Sequence, residues 1–157
     1  MIFLKIKWKK LIISIGIPLA LGLLSAILTQ NNMQLFETIN KPLLSPPGWL
    51  FPIVWTILYT LMGLASYLIY TSHYYNKNNA LFTYEIQLIF NFFWSILFFN
   101  LEAYLLSFIW LIILWILILI TTIQFYNINK TAGYLMIPYL IWVTFAGYLN
   151  FMIYLLN

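Results

Sequence analysis

Apolar residues recur along this chain in five long runs, separated by shorter polar joints. A bilayer's hydrocarbon core is roughly 30 Å thick, so about 20 apolar residues cross it as a helix at 1.5 Å rise each. The pattern predicts spans over residues 11–30, 47–72, 81–99, 104–125 and 132–155, with the longest connection, a candidate lid, over residues 31–46. Residues 1–157 then form a single all-α integral membrane domain, a five-transmembrane-helix bundle. The remaining joints are short enough to force neighbouring helices antiparallel.

Local signals refine these elements. The basic "KIKWKK" before the first run resembles the start of a signal peptide, but the apolar part is too long for a typical h-region and no clear cleavage site follows. The reading is a retained helix, in which Gly16, Pro18 and Gly22 allow a bend and the Gly22/Ala26 pair allows another helix to approach. Leu35, Phe36, Leu43 and Leu44 keep the connection apolar enough to fold down onto the bundle. The second span is expected to start near Pro47, since the first helical turn has no internal partner for the missing N–H.

Composition agrees with a membrane protein: 64% of residues are hydrophobic, 20% aromatic and only 6% charged, where soluble domains carry about 25%. No soluble domain is left over. Cysteine is absent and His73 is the one histidine, which excludes disulfides, thiolate nucleophiles and a multi-histidine metal site. Neither a P-loop, a dinucleotide fingerprint, a zinc motif nor a hydrolase nucleophile arrangement is present. No metal and no nucleic-acid partner is expected.

Charge placement says more than its sum. Lys5, Lys7, Lys9, Lys10, Lys77 and Lys130, six of the seven lysines, fall on one side of the five-span arrangement, and Lys41, Glu37 and Glu102 on the other. The positive-inside bias then puts the N-terminus in the cytoplasm and the C-terminus and first loop outside. Glu85 reads as an interfacial carboxylate near a helix N-terminus, and His73 as solvated.

Steps of three and four residues give each of three spans one stripe of aromatic, polar and small groups. These are Trp55, Tyr59, Met62, Gly63 and Ser66; Gln87, Asn91, Trp94, Ser95 and Phe98; and Pro138, Trp142, Phe145, Ala146 and Leu149. Amides at Gln87 and Asn91 lie deep in a span, where an unsatisfied polar group costs several kcal/mol, so they mark an interior face. Two readings stay open. In one, the amides bond neighbouring helices and the tryptophans are packing and interface anchors. In the other, the stripes converge on an aromatic cavity under the first loop, suited to a large flat ligand, and Pro42, Pro46 and Pro47 stiffen the lid.

The stretches "NKPLLSPPGWLFPIVWTILYTLMGLA", "LIFNFFWSILFF" and "MIPYLIWVTFAGYLN" resemble, in order and spacing, the signatures of the tryptophan-rich sensory protein family, TspO/MBR, whose mitochondrial members are called translocator protein or peripheral-type benzodiazepine receptor. The resemblance runs from about Leu35 to the C-terminus. It implies a five-helix homodimeric receptor or transport protein linked to stress responses. Such proteins bind protoporphyrin IX, haem and synthetic isoquinoline or benzodiazepine-type ligands beneath the first loop, and no further cofactor is required. Some members break down protoporphyrin IX in light, and Trp55 and Trp142 match the two tryptophans implicated there. Asn91 and Trp94 match the face of the third helix, Pro46 and Pro47 the loop-to-helix prolines, and Ala146 the small position of the fifth helix.

Departures accompany the match. Leu35-Phe36 stands where the family has an aromatic pair, Leu44 where it has a tryptophan, and "YLNFMIYLLN" lacks the basic residue of the mammalian sterol segment. The expected ligand-binding set is Phe36, Pro46, Pro47, Trp55, Tyr59, Asn91, Trp94, Ser95, Phe98, Trp142, Phe145, Ala146 and Leu149, with Trp55 and Trp142 catalytic only if photochemistry occurs. The leading expectation is a tetrapyrrole sensor, carrier or scavenger in a bacterial cell membrane. The alternatives are a light-dependent porphyrin-degrading enzyme and a porphyrin transporter.

Overall fold

The computed structural model describes residues 5–157. Its helices are α1 (Trp8–Thr29), the short α2 (Met33–Thr38), α3 (Leu50–Tyr70), α4 (Lys77–Ser95), α5 (Tyr104–Ile128) and α6 (Lys130–Leu156). Among the described residues there is no strand, and five helical stretches are long and apolar enough to cross a membrane. The expected five-helix architecture is therefore the one found.

Several helix ends differ from expectation by a few residues: α1, α4 and α6 start ahead of it at Trp8, Lys77 and Lys130, and α5 runs on to Ile128. Two further differences have a local reason. The first connection is not a loop from residue 31: a 3-10 turn at Gln30–Asn32 carries α1 straight into α2. Asn32 spends its side-chain amide on the Asn100 carbonyl oxygen at 2.7 Å, so it does not turn its own backbone. Helical structure ends at Thr38, and the Asn40-Lys41-Pro42 sequence follows. The helix expected from Pro47 begins at Leu50 instead, because the two prolines hold the chain before it extended. A single turn, with the Leu50 N–H on the Pro47 carbonyl at 3.0 Å, leads into it.

The first connection also folds down less than its composition implied. Phe36 is buried, but Leu35, Leu43 and Leu44 are exposed, Leu43 completely. One aromatic ring, set between Phe51 and Phe99 at 5.6 and 6.0 Å, anchors the segment.

Close helix contact is bought with glycine at chosen points. A Cβ on Gly63 would stand 2.5 Å from the Ile15 Cα, so α1 and α3 touch backbone to backbone there. Gly22 lets the Tyr59 ring lie flat on α1. Its expected partner Ala26 makes no such approach and faces a cavity. Gly133 does the same work where α6 turns back on α5, against Tyr126. That turn is fixed by extended backbone at Asn129, whose side-chain oxygen accepts the Ala132 N–H at 3.2 Å and caps α6.

The helix α4 ends in a π-helical turn at Ile96–Asn100, after which Glu102, at φ 48°, reverses the chain into α5. The core between the helices is apolar around Met62, Leu114, Ile118, Phe125 and Met136.

Candidate functional site: an aromatic cavity beneath the first connection

A cavity of about 810 Å³ lies among α1, α3, α4 and α6, on the side of the molecule that carries α2. Trp55, Trp94 and Trp142, the indoles of the three predicted stripes, all line it. Its walls are mostly apolar.

Each wall follows from local packing. Trp55 stacks on Tyr59, one turn further along α3, at 5.3 Å and 29° between planes. Trp94 stacks on Phe98 at 5.2 Å and donates its indole N–H to Asn150 at 3.0 Å, which fixes the ring's plane. Asn150 in turn donates to the Tyr104 carbonyl at 2.8 Å. Trp142 meets Phe51 edge to face at 5.9 Å.

Behind Tyr59 runs a buried polar chain. Tyr59 donates its hydroxyl to the Asn91 carbonyl oxygen at 2.9 Å, and Asn91 donates its amide to the Tyr139 hydroxyl at 2.6 Å. Tyr139 donates to the Gln87 side-chain oxygen at 2.8 Å, and the Gln87 amide points at the Met62 sulfur, 3.7 Å away. Three helices are thereby tied together, and all four side chains of the chain from Tyr59 to Gln87 are bonded to one another in turn. Of the two readings of the amides, Gln87 and Asn91 follow the first: they bond neighbouring helices.

The structure brings Phe36, Trp55, Tyr59, Trp94, Ser95, Phe98, Trp142, Ala146 and Leu149 around the cavity. It does not bring Pro46, Pro47, Asn91 or Phe145 there. The two prolines precede α3 outside the cavity wall, and Asn91 stands behind Tyr59. Phe145 turns sideways, packing on Trp142 at 5.7 Å and on Tyr148 at 6.2 Å. Pro138, on the same stripe, is exposed, whereas its neighbour Tyr139 is fully buried.

Sequence reasoning missed a whole wall. Leu19, Gly22, Ser25, Ala26, Thr29 and Met33 bring α1 and α2 to the cavity. The α1 run is apolar on every side, so periodicity alone gives it no inward face. Phe99 was also missed; it sits in the π turn and lines the cavity beside Phe98. Asn150 carried a usable signal, a lone amide in an apolar run.

Haem iron would find no imidazole here: His73 lies in the α3–α4 connection and is not among the lining residues. Among the described residues no group of three or more His, Cys, Asp or Glu could hold a metal ion. What the walls offer is flat aromatic surface. The indole N–H groups of Trp94, Trp110 and Trp115 are taken up by protein oxygens. Trp55 and Trp142 meet the cavity through ring contacts, stacked on Tyr59 and edge to face with Phe51.

Known proteins resemble this chain in sequence. The pattern described as the TspO/MBR family matches residues 14–156. The chain is similar to "Tryptophan-rich protein TspO" of Archaeoglobus fulgidus, 40% identical over 149 residues that cover 94% of this chain and 97% of that one. It is similar to the protein of the same name from Chlorobaculum tepidum, 39% identical with 94% and 95% covered. "Translocator protein" of Bos taurus is 30% identical, with 83% and 79% covered. A family pattern over nearly the full length, joined to relatives matched almost end to end, makes this chain a member of the TspO/MBR family.

Proposed function

We propose that this membrane protein binds a tetrapyrrole, protoporphyrin IX or haem, or another flat apolar ligand such as a synthetic isoquinoline or benzodiazepine, in the cavity beneath α2, and serves as a sensor, carrier or scavenger of it. The observation that carries the reading is the convergence of Trp55, Trp94 and Trp142 on one space of about 810 Å³. That size sits high in the range of small-molecule sites, about 300–1,000 Å³. Indole faces stack on a conjugated ring, and the leucine and isoleucine walls take its edges. With no imidazole on the wall, ring stacking and edge contacts supply the binding.

Bound porphyrin supplies a light-absorbing, oxygen-sensitising ring. Trp55 and Trp142, oxidisable side chains on the neighbouring helices α3 and α6, both line the cavity, and this favours photo-oxidative breakdown of the pigment as the second reading. The orientation we infer puts the lysine-rich end in the cytoplasm. Lys10 lies over the Tyr70 ring at 4.9 Å and the Lys7 N–H bonds the Tyr67 hydroxyl, so the N-terminus and the α3–α4 connection share that end. A homodimer is part of the proposal by relation to the family.

Titration of the purified protein with protoporphyrin IX tests the first reading: tryptophan emission should quench saturably, and Trp142→Phe or Trp55→Phe should change the response. Unsaturable quenching refutes it. Under illumination, a Trp55→Phe, Trp142→Phe double variant should bleach bound porphyrin more slowly than the wild type; equal rates refute the photochemical reading.

A further inference from the structure

Exposure divides the cavity wall unevenly. Every lining residue on α4 and α6 is buried or half-buried, while the exposed ones among the described residues are Leu23, Ala26, Ile27 and Gln30 on the α1 side and Pro52 and Thr56 on α3. The first four are spaced at i, i+3, i+4 and i+7 and the last two at i, i+4, so each set is one stripe of its helix. Two exposed stripes thus face one cavity at the level of the lower rim of α2 and the first turns of α3.

Elsewhere α1 is held tightly. Below the gap, Gly63 seats it on α3 at Ile15, and Gly22 seats it on Tyr59. On its other side, Asn100 at the end of the π turn donates to the Leu28 carbonyl at 3.1 Å and accepts from Asn32 at 2.7 Å, sealing α1 to α4. Above, the connection after α2 is latched to the end of α6. The Asn40 backbone N–H donates to the Asn157 side-chain oxygen at 3.1 Å, the Asn40 amide donates to the Leu156 carbonyl at 3.3 Å, and the Asn157 amide returns a bond to the Asn40 carbonyl at 2.9 Å. Lys41 donates to the Phe36 carbonyl at 2.8 Å and lies over its ring, which ties the strap to α2.

The gap itself suits hydrocarbon. The Thr56 hydroxyl donates to the Pro52 carbonyl at 2.7 Å and the Thr29 hydroxyl to the Ser25 carbonyl at 2.9 Å, so both threonine hydroxyls are satisfied within their own helices, and Gln30 is the remaining polar side chain on the border. We infer that the cavity is entered sideways, from the bilayer, through a doorway between α1 and α3 bordered by Ala26, Gln30, Pro52 and Thr56, while the strap over its top stays latched. The inference rests on the ligand reading above: the entrant is a lipid-soluble flat molecule already partitioned into the membrane.

The cysteine-free chain makes the test direct. One form carries Ala26→Cys with Thr56→Cys across the doorway; a second carries Asn40→Cys with Asn157→Cys across the strap. Each is bridged in vesicles by a bifunctional, reducible thiol reagent, and protoporphyrin IX is supplied within the bilayer. Bridging the doorway should slow the onset of quenching by about tenfold and reduction should restore it, while bridging the strap leaves the rate unchanged. Equal rates with the doorway bridged and open, at full quenching amplitude, overturn the doorway and leave the ligand reading standing. Slowing by the strap bridge alone places the entrance at the water-facing top and also overturns it. Absence of saturable quenching in the unbridged protein overturns the ligand reading and the doorway with it.

Discussion

Tyr59 is the hinge between the cavity and the rest of the bundle. Its ring supports Trp55 and rests on Gly22, and its hydroxyl is the first link of the chain through Asn91 to Tyr139 and Gln87. Asn91→Ala would leave the Tyr59 and Tyr139 hydroxyls without that partner inside the bundle. We expect a loss of about 1–3 kcal/mol, read as a lowered unfolding midpoint in detergent, and weaker porphyrin quenching because Trp55 loses its support. His73 gives the contrasting outcome: His73→Ala should leave the absorption spectrum of added haem unchanged, since that side chain is remote from the cavity wall. Residue roles were legible in the sequence where a polar group interrupts an apolar run, as at Gln87 and Asn91. Their partner was not, because Tyr139 looks like any aromatic in a helix until α6 is rotated against α4.

At the scale of elements, the helix contacts depend on backbone approach, and glycine decides where it happens. Gly63→Leu should push α1 off α3 and lower stability by about 1–3 kcal/mol, a small-to-large change against backbone that has no rotamer to yield. Gly16→Leu, on α1 itself but with nothing within 4 Å of the position of its Cβ, should leave the unfolding midpoint unchanged. Both are single-site measurements by thermal denaturation. The π turn at Ile96–Asn100 is the other decision made here: it ends α4 on the cavity wall, where Phe98 and Phe99 both stand. The start of α6 at Lys130, two residues ahead of the expected 132, follows from the Asn129 cap, which only the structure shows. The start of α3 was misplaced by three residues because a turn at Pro47–Leu50 precedes it.

For the whole molecule, the two ends of the bundle differ in chemistry. One end gathers lysines around Tyr67, Tyr70 and the α3–α4 connection, and the other joins the strap to the last residue of α6. Asn157→Ala removes the latch bonds to the Asn40 backbone, so hydrogen exchange over residues 39–49 should speed up by about tenfold while α3 to α6 stay protected. Orientation is checked with single cysteines in the otherwise cysteine-free chain. Leu43→Cys, fully exposed on the strap, should react with a membrane-impermeant thiol reagent added to intact cells, and Lys130→Cys should not.

Hydrophobic runs and their lengths determined by themselves that this chain is a five-helix membrane bundle, because no other structure satisfies so much apolar backbone in a bilayer. Residue spacing also determined which faces of α3 and α4 turn inward, since a lone amide or hydroxyl in lipid is too costly to leave unpaired; the α6 stripe, which has neither, brings Trp142, Ala146 and Leu149 to the cavity and not Pro138 or Phe145. Tertiary structure decided the rest: the contribution of α1, whose uniform apolarity names no face; the shift of Asn91 from wall to support; and the gap beside Thr56. These depend on where two helices separate, a quantity set by glycine contacts and side-chain bridges between distant residues such as Asn100 and Leu28, and no local pattern encodes it.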